Sequence, residues 1–244
     1  MANTITKIIQ NIASFSSLLP LIFFFIFQRN NKSKELRVIS IYIIYCAIND
    51  LVSFYLFQVA HLRPFFLYDI FTVAEFSLFT WYFHKIIYNK LFKRLIPFSI
   101  ILFIVFSVSL YILLPENTSF SSPIAGTESV LIIGMCIYYF FDQLKQPNTL
   151  MIYSSINFWI IISFLIYLAG TFFLNIYADT MLSNKAFLKQ YILINSSFNI
   201  LKNILLSIAM LMKPNNNNNN NQSIFPEDRL NADWNANHSL QNLN

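Results

Sequence analysis

The stretch "VLIIGMCIYYFF" at 130–141 holds twelve residues without one charge, and the chain returns to such runs again and again. About 20 mostly apolar residues cross the hydrocarbon core of a bilayer. Seven stretches have that character: 5–27, 38–59, 65–87, 95–114, 122–141, 156–174 and 191–212. The fifth is the least uniform, since Pro123, Gly126, Thr127 and Glu128 stand near its start. Backbone groups in lipid must be satisfied within their own segment, which leaves the helix as the economical solution for such a run. The expectation is an all-α, polytopic membrane protein, a bundle of seven transmembrane helices over residues 1–212.

Composition bears this out where it is needed. Charged residues make up 11% of the chain and hydrophobic ones 56%, against about 25% charged in an ordinary soluble domain. A net charge of +5 raises the question of nucleic acid. Here the basic residues sit in short segments between apolar runs, where lysine and arginine set membrane topology, so a nucleic-acid partner is excluded and the bilayer is the expected one. Cys46 and Cys136 both fall inside apolar runs and read as packing residues. The first run lacks a small-residue cleavage site and is followed by Arg29, Lys32, Lys34 and Arg37, the pattern of a retained span.

Orientation follows from those charges. On one side lie Arg29, Lys32, Lys34 and Arg37, then Lys85, Lys90, Lys93 and Arg94, then Lys145, and finally Lys213 and Arg229. The other side has only Lys7, Arg63, Lys185 and Lys189. The N-terminus is therefore expected outside and the C-terminus in the cytoplasm. Short connections such as "HLRP" predict antiparallel neighbours. The two halves show no repeat of one another, which weakens an inverted-repeat transporter. From residue 213 to 244 the chain becomes an Asn-rich segment, expected to be a disordered cytoplasmic tail because it has too little apolar surface to offset its ordering entropy. Within it, "SIFPEDRL" is a candidate docking element, and Asn117 on the outer side is a glycosylation sequon.

The chemistry-bearing residues are those that lipid penalises. An ionisable group at mid-bilayer costs roughly 2.5–3.5 kcal/mol on insertion scales, so such groups face the interior and pair. They are Asp50 in the second span, Asp69 and Glu75 in the third, Glu128 in the fifth and Lys202 in the seventh. Asn195, Asn199, Lys202 and Asn203 share one helical face, as do Cys46, Asp50 and Ser53, then Asp69, Thr72 and Glu75, and in the sixth span Ser163, Tyr167, Gly170 and Thr171. Four polar stripes point to one interior cavity. At about 1.5 Å rise per residue, Lys202 and Glu75 lie near the midplane and Asp50 slightly outside it, with Asp69 and Glu128 nearer the outer mouth. Glu75 and Asp50 are thus the expected partners of Lys202. One lysine cannot balance four carboxylates, so protons or a bound cation must complete the count. The blander reading is a buried pair that only sets helix register.

No nucleophile elbow, zinc motif or phosphate loop is present, and three scattered histidines, His61, His84 and His238, make no metal site. No catalytic residue, cofactor or metal is expected. A lysine in a seventh span invites comparison with the microbial rhodopsins, but Phe198 stands where their last helix has an aspartate, and "FWIIISFLIYLAG" lacks the retinal-pocket pattern. The stretches "YIIYCAINDL", "YDIFTVAEFSLF" and "FNILKNILL" resemble small uncharacterised bacterial seven-helix integral membrane proteins. That resemblance implies a multi-pass protein of the cell inner membrane with a sensory role. The function expected first is a receptor-like sensor, whose acidic cavity of Asp50, Asp69, Glu75, Glu128, Asn199, Lys202 and Asn203 takes a small cationic ligand or a proton and reports to a cytoplasmic signalling partner. A proton- or cation-coupled small-solute transporter comes second, and an intramembrane lipid-modifying enzyme third.

The charge count makes a direct prediction. Reporter fusions after Lys93 and after Asn215 should read cytoplasmic, and one after Asn117 external; the reverse pattern would overturn both the orientation and the depth ordering of the acids.

Overall fold

Every apolar run becomes a helix in the computed structural model, which describes residues 2–29, 31, 33–58, 65–87, 89–113, 122–145, 155–181 and 184–212. The described residues are all-helical. The "HLRP" connection, the sequon at Asn117 and the Asn-rich segment from 213 onward lie outside them.

The first rod is not one clean helix. Helix α1 (Ala2–Ser16) passes through Ser17 into α2 (Leu18–Phe23) and then a π-helical turn at Phe24–Gln28. Pro20 explains the break, because it has no N–H to give the Ser16 carbonyl and its ring crowds that carbonyl. The remaining helices are α3 (Lys34–Gln58), α4 (Phe65–Ile86), α5 (Lys90–Leu113), α6 (Ser122–Leu144), α7 (Ile156–Met181) and α8 (Lys185–Leu211). Pro123 sits in the first turn of α6, where a missing N–H costs nothing. Asn184 caps α8 by accepting from the Ala186 N–H at 2.9 Å, which starts that helix six residues before the apolar run does.

Among the described residues, six helices are long and apolar enough to cross a membrane: Ile5–Gln28, Lys34–Leu56, Lys90–Leu110, Pro123–Leu144, Ile156–Ala178 and Lys185–Leu211. The chain is a multi-pass membrane protein. The third expected span, α4, has the length at 22 residues but not the apolarity. It carries Asp69 and Glu75, and ends on His84 and Lys85. Packing accounts for the difference, since α3, α5 and α6 all lie against α4 and bury Glu75, Phe76, Phe79, Thr80, Tyr82 and Phe83. A helix covered by other helices does not have to be soluble in lipid.

The same pattern of contacts defines the architecture. The first rod packs on α3 and α8, α3 on α4, α4 on α6, α6 on α7, and α7 on α8, which closes a ring of six rods. Helix α5 leans on α4 from outside that ring. Its exposed face is almost wholly apolar, from Leu91 at 75% exposed through Phe98, Ile101 and Val105 to Ile112, as a lipid-facing surface must be. The interior is aromatic. The ring centroids of Phe79 and Phe164 lie 4.3 Å apart, those of Phe76 and Phe103 4.2 Å, and those of Tyr42 and Phe164 5.0 Å. Such pairs contribute about 0.5–1.5 kcal/mol beyond the area they bury. Polar edges are bonded between helices: the Tyr82 hydroxyl donates to Asn157 Oδ1 at 2.8 Å, and the Cys136 thiol to the Ile161 carbonyl at 3.7 Å. Cys46 and Cys136 are buried free thiols, as packing residues should be.

Two contacts hold α8 in place. At the π-helical turn, Gln28 is buried and its Nε2 donates to the carbonyls of Met210 at 3.0 Å and Met212 at 2.7 Å. These belong to the end of α8, where carbonyls lack intrahelical donors. Asn31 Nδ2 donates to Gln28 Oε1 at 3.2 Å, so the glutamine is used at both ends. Farther along, Gly170 of α7 leaves room for the ring of Phe198 on α8, and a Cβ there would collide with that ring. Close approach through a small residue is how membrane helices gain packing without a hydrophobic drive between them.

Gly170→Leu should therefore wedge α7 from α8. Overpacking costs about 1–3 kcal/mol, expected as a lower melting temperature in detergent, and Phe198→Ala should recover part of it. Equal stability of Gly170→Leu and the parent would show that the two helices do not depend on this contact.

Candidate functional site

Lys202 lies in the middle of α8, and the ring architecture turns it inward. It is 3% exposed and Glu75 on α4 is 2% exposed. The ammonium Nζ stands 3.4 Å from Glu75 Oε1, a long contact for a direct ion pair. The closer partner is Tyr42 on α3, whose hydroxyl accepts from Nζ at 2.9 Å and donates to Glu75 Oε1 at 2.6 Å. The tyrosine thus works as a relay, taking one hydrogen bond from the cation and giving one to the anion. Hydrogen bonds with an ionised partner are shorter and roughly twice as strong as neutral ones. The ammonium also lies over aromatic faces, 4.2 Å from the centroid of Tyr167 and 5.6 Å from that of Tyr42. A desolvated cation on an aromatic face gains about 2 kcal/mol. Three helices besides α8 therefore share the charge of one lysine.

Glu128 on α6 is the second buried carboxylate, 4% exposed. Glu75 and Lys202 are the charged groups acting on it, yet its Oε1 has no hydrogen-bond partner. Asp50 and Asp69 are only half-buried. Asp50 stands two turns beyond Tyr42 on α3, near Ser17 of the first rod and still within the electrostatic reach of Lys202. Asp69 lies six residues before Glu75, about 9 Å along α4 at the usual rise per residue.

The structure thus brings Lys202, Glu75 and Glu128 into one interior and leaves Asp50 and Asp69 toward its margins. The asparagines of α8 divide. Asn203 is buried but donates from Nδ2 to Ser16 Oγ of the first rod at 2.7 Å, on the flank away from Glu75, while Asn199 is half-buried one turn earlier. In α7, Ser163 and Thr171 are buried but bond back to their own helix, to the Ile160 carbonyl at 2.7 Å and the Tyr167 carbonyl at 2.9 Å. Of that stripe, Tyr167 is the residue that meets the lysine, 4.2 Å from Nζ to the ring centroid.

Sequence reasoning missed Tyr42. It sits four residues before Cys46 on the stripe that continues to Asp50, so the helical period already placed it on the inner face. A tyrosine in an apolar run carries no formal charge, so it does not stand out there as an ionisable residue does. Gln28 was missed because it borders the charged segment that follows the first span. Among the described residues no three His, Cys, Asp or Glu side chains are gathered so as to hold a metal ion.

Comparison with protein-family models, curated proteins and solved structures gives no match to this chain. The chemistry of the site has to be read from its own atoms.

Lys202→Met tests the bridge. Removing one partner of a buried pair costs about 3–5 kcal/mol, because the other charge is left uncompensated. The variant should lose stability on that scale, and adding Glu75→Gln should restore most of it. Asp50→Asn should combine additively with Lys202→Met, within about 0.5 kcal/mol as for independent sites. A double-mutant cycle in which Asp50 couples and Glu75 does not would reassign the partner.

Proposed function

We propose that this protein is a receptor-like membrane sensor in which a small cation or proton enters an acidic interior and alters how the helices pack around Lys202. In this reading α4 completes seven spans, with the N-terminus outside and the C-terminus in the cytoplasm, as the distribution of lysine and arginine supports. The observation that carries it is the Lys202–Tyr42–Glu75 bridge. It ties α3, α4 and α8 through a single charge, so any new charge beside it is felt on three helices at once. Intramembrane ionisable residues are expensive and mark functional sites by default.

The output side follows from connectivity. Helix α8 carries Lys202 and leads directly into the Asn-rich segment from 213 onward, where a cytoplasmic signalling partner would read a displacement. The resemblance to small bacterial seven-helix proteins supports an inner-membrane setting. A sensor needs only differential affinity of its ligand for two packing states, and a coupling of about 1–3 kcal/mol suffices.

The test uses purified full-length protein in nanodiscs and proteoliposomes. Primary amines of increasing size and a pH series should shift the melting temperature, as ligands that bind only the folded state do; at a hundredfold excess over Kd the stabilisation is about 2.7 kcal/mol. No net solute movement should accompany that shift. Coupled uptake of solute into proteoliposomes would make the protein a transporter instead, and indifference to both amines and pH would remove the sensor reading.

A further inference from the structure

Glu128 is a buried acid whose charge nothing nearby is free to hold. Its Oε1 is unpartnered and the residue is only 4% exposed. The charged and titratable groups that act on it lie on several helices. Helix α4 presents Glu75, α8 presents Lys202, and α7 presents Tyr167; behind them α3 supplies Tyr42 and Cys46. The one cation among these is already engaged, since Lys202 donates to the Tyr42 hydroxyl, contacts Glu75 and lies on the Tyr167 face. If both glutamates were ionised, the interior would hold one more negative charge than positive.

An unpaired charge in such surroundings is far more costly than a neutral acid with one unsatisfied oxygen. Something positive must join Glu128. Hard metal cations need about six oxygen ligands or more, and among the described residues no three His, Cys, Asp or Glu side chains gather to start such a shell. A proton needs one oxygen. We propose that Glu128 is the proton-binding group of this interior, taking a single exchangeable proton at Oε1. This deepens the acidic-interior reading and rests on it, naming the group and the cation.

The chemistry balances without any other reactant. A lone pair of the carboxylate forms an O–H bond with a proton from solvent, and nothing is oxidised or reduced. The consequence lies in competition. With its proton, Glu128 makes no demand on Lys202, and the ammonium stays with Tyr42 and Glu75. Once the proton leaves, two carboxylates draw on one ammonium, and α8 is pulled between α4 and α6.

The experiment follows the C=O stretch of a neutral carboxylic acid by infrared difference spectroscopy, in full-length protein in nanodiscs taken through a pH series. The parent should show the band on acidification. Glu128→Gln, which keeps the side chain's shape, should lose it while remaining folded by circular dichroism, and Glu128→Asp should retain it with a displaced midpoint. The aspartate variant decides the matter if the glutamine variant fails to fold. A band that persists in Glu128→Gln and vanishes in Glu75→Gln would move the proton to Glu75, overturning this assignment and leaving the acidic interior intact. Stabilisation of the parent by sodium over choline that is lost in Glu128→Gln, with no acid band, would replace the proton by a metal cation. Absence of the band together with indifference to sodium would overturn both the assignment and the reading beneath it.

Discussion

A charge in a low-dielectric interior must be compensated where it stands, and this constraint organises the molecule around Lys202. Its ammonium cannot snorkel to an interface from the middle of a 27-residue helix, so the protein brings the answering groups to it. Glu75 supplies the opposite charge, Tyr42 the hydrogen bonds that join the two, and Tyr167 a negative ring face. Tyrosine recurs because it alone offers an apolar body for the aromatic core and a polar edge for the bridge. The 13 tyrosines and 27 phenylalanines of the chain are thus two versions of one solution, with and without a hydrogen-bonding end.

The bundle contains two solvents as a result, and the helices divide between them. Helix α5 meets lipid over most of its surface and is correspondingly apolar. Helix α4, covered by α3, α5 and α6, can carry Glu75 and Asp69 because protein is its solvent. Its lower apolarity is a mark of central position, the reverse of what a hydropathy reading would take it for. The two buried glutamates meet different partners: Glu75 contacts the Tyr42 hydroxyl and the Lys202 ammonium, whereas Glu128 Oε1 has no hydrogen-bond partner.

Much of the fold was legible because apolar runs of the right length leave few alternatives, and the membrane class follows from them. The pairing of Lys202 with Glu75 was legible in part, since depth along each helix narrows the choice to Glu75 or Asp50. Geometry then separates the two, because Asp50 stands two turns from Tyr42, near Ser17 of the first rod. What could not be read was lateral direction. Asn203 and Lys202 are neighbours on a helical face about 100° wide, yet that face meets two different partners, and only the packing sends one to Ser16 and the other to Glu75. Tyr42 was hidden for a related reason: its importance depends on what stands opposite, and sequence spacing describes one helix at a time. Gln28 illustrates the limit most clearly, as a loop-side glutamine becomes a buried cap only when the far end of the chain arrives.

That arrival has a consequence for how the protein is made. The ring closes between the first rod and α8, and the clamp at Gln28 joins residues 182 and 184 positions apart. Synthesis runs from one side of that seam to the other. Glu75 precedes its counter-charge Lys202 by 127 residues, so the acid is synthesised long before the cation that answers it. The same helix brings in Lys202, buried at 3% exposure, and the carbonyls that Gln28 holds. The final helix is the keystone of assembly, and a ribosome that stops before it leaves an open arc in place of a smaller protein.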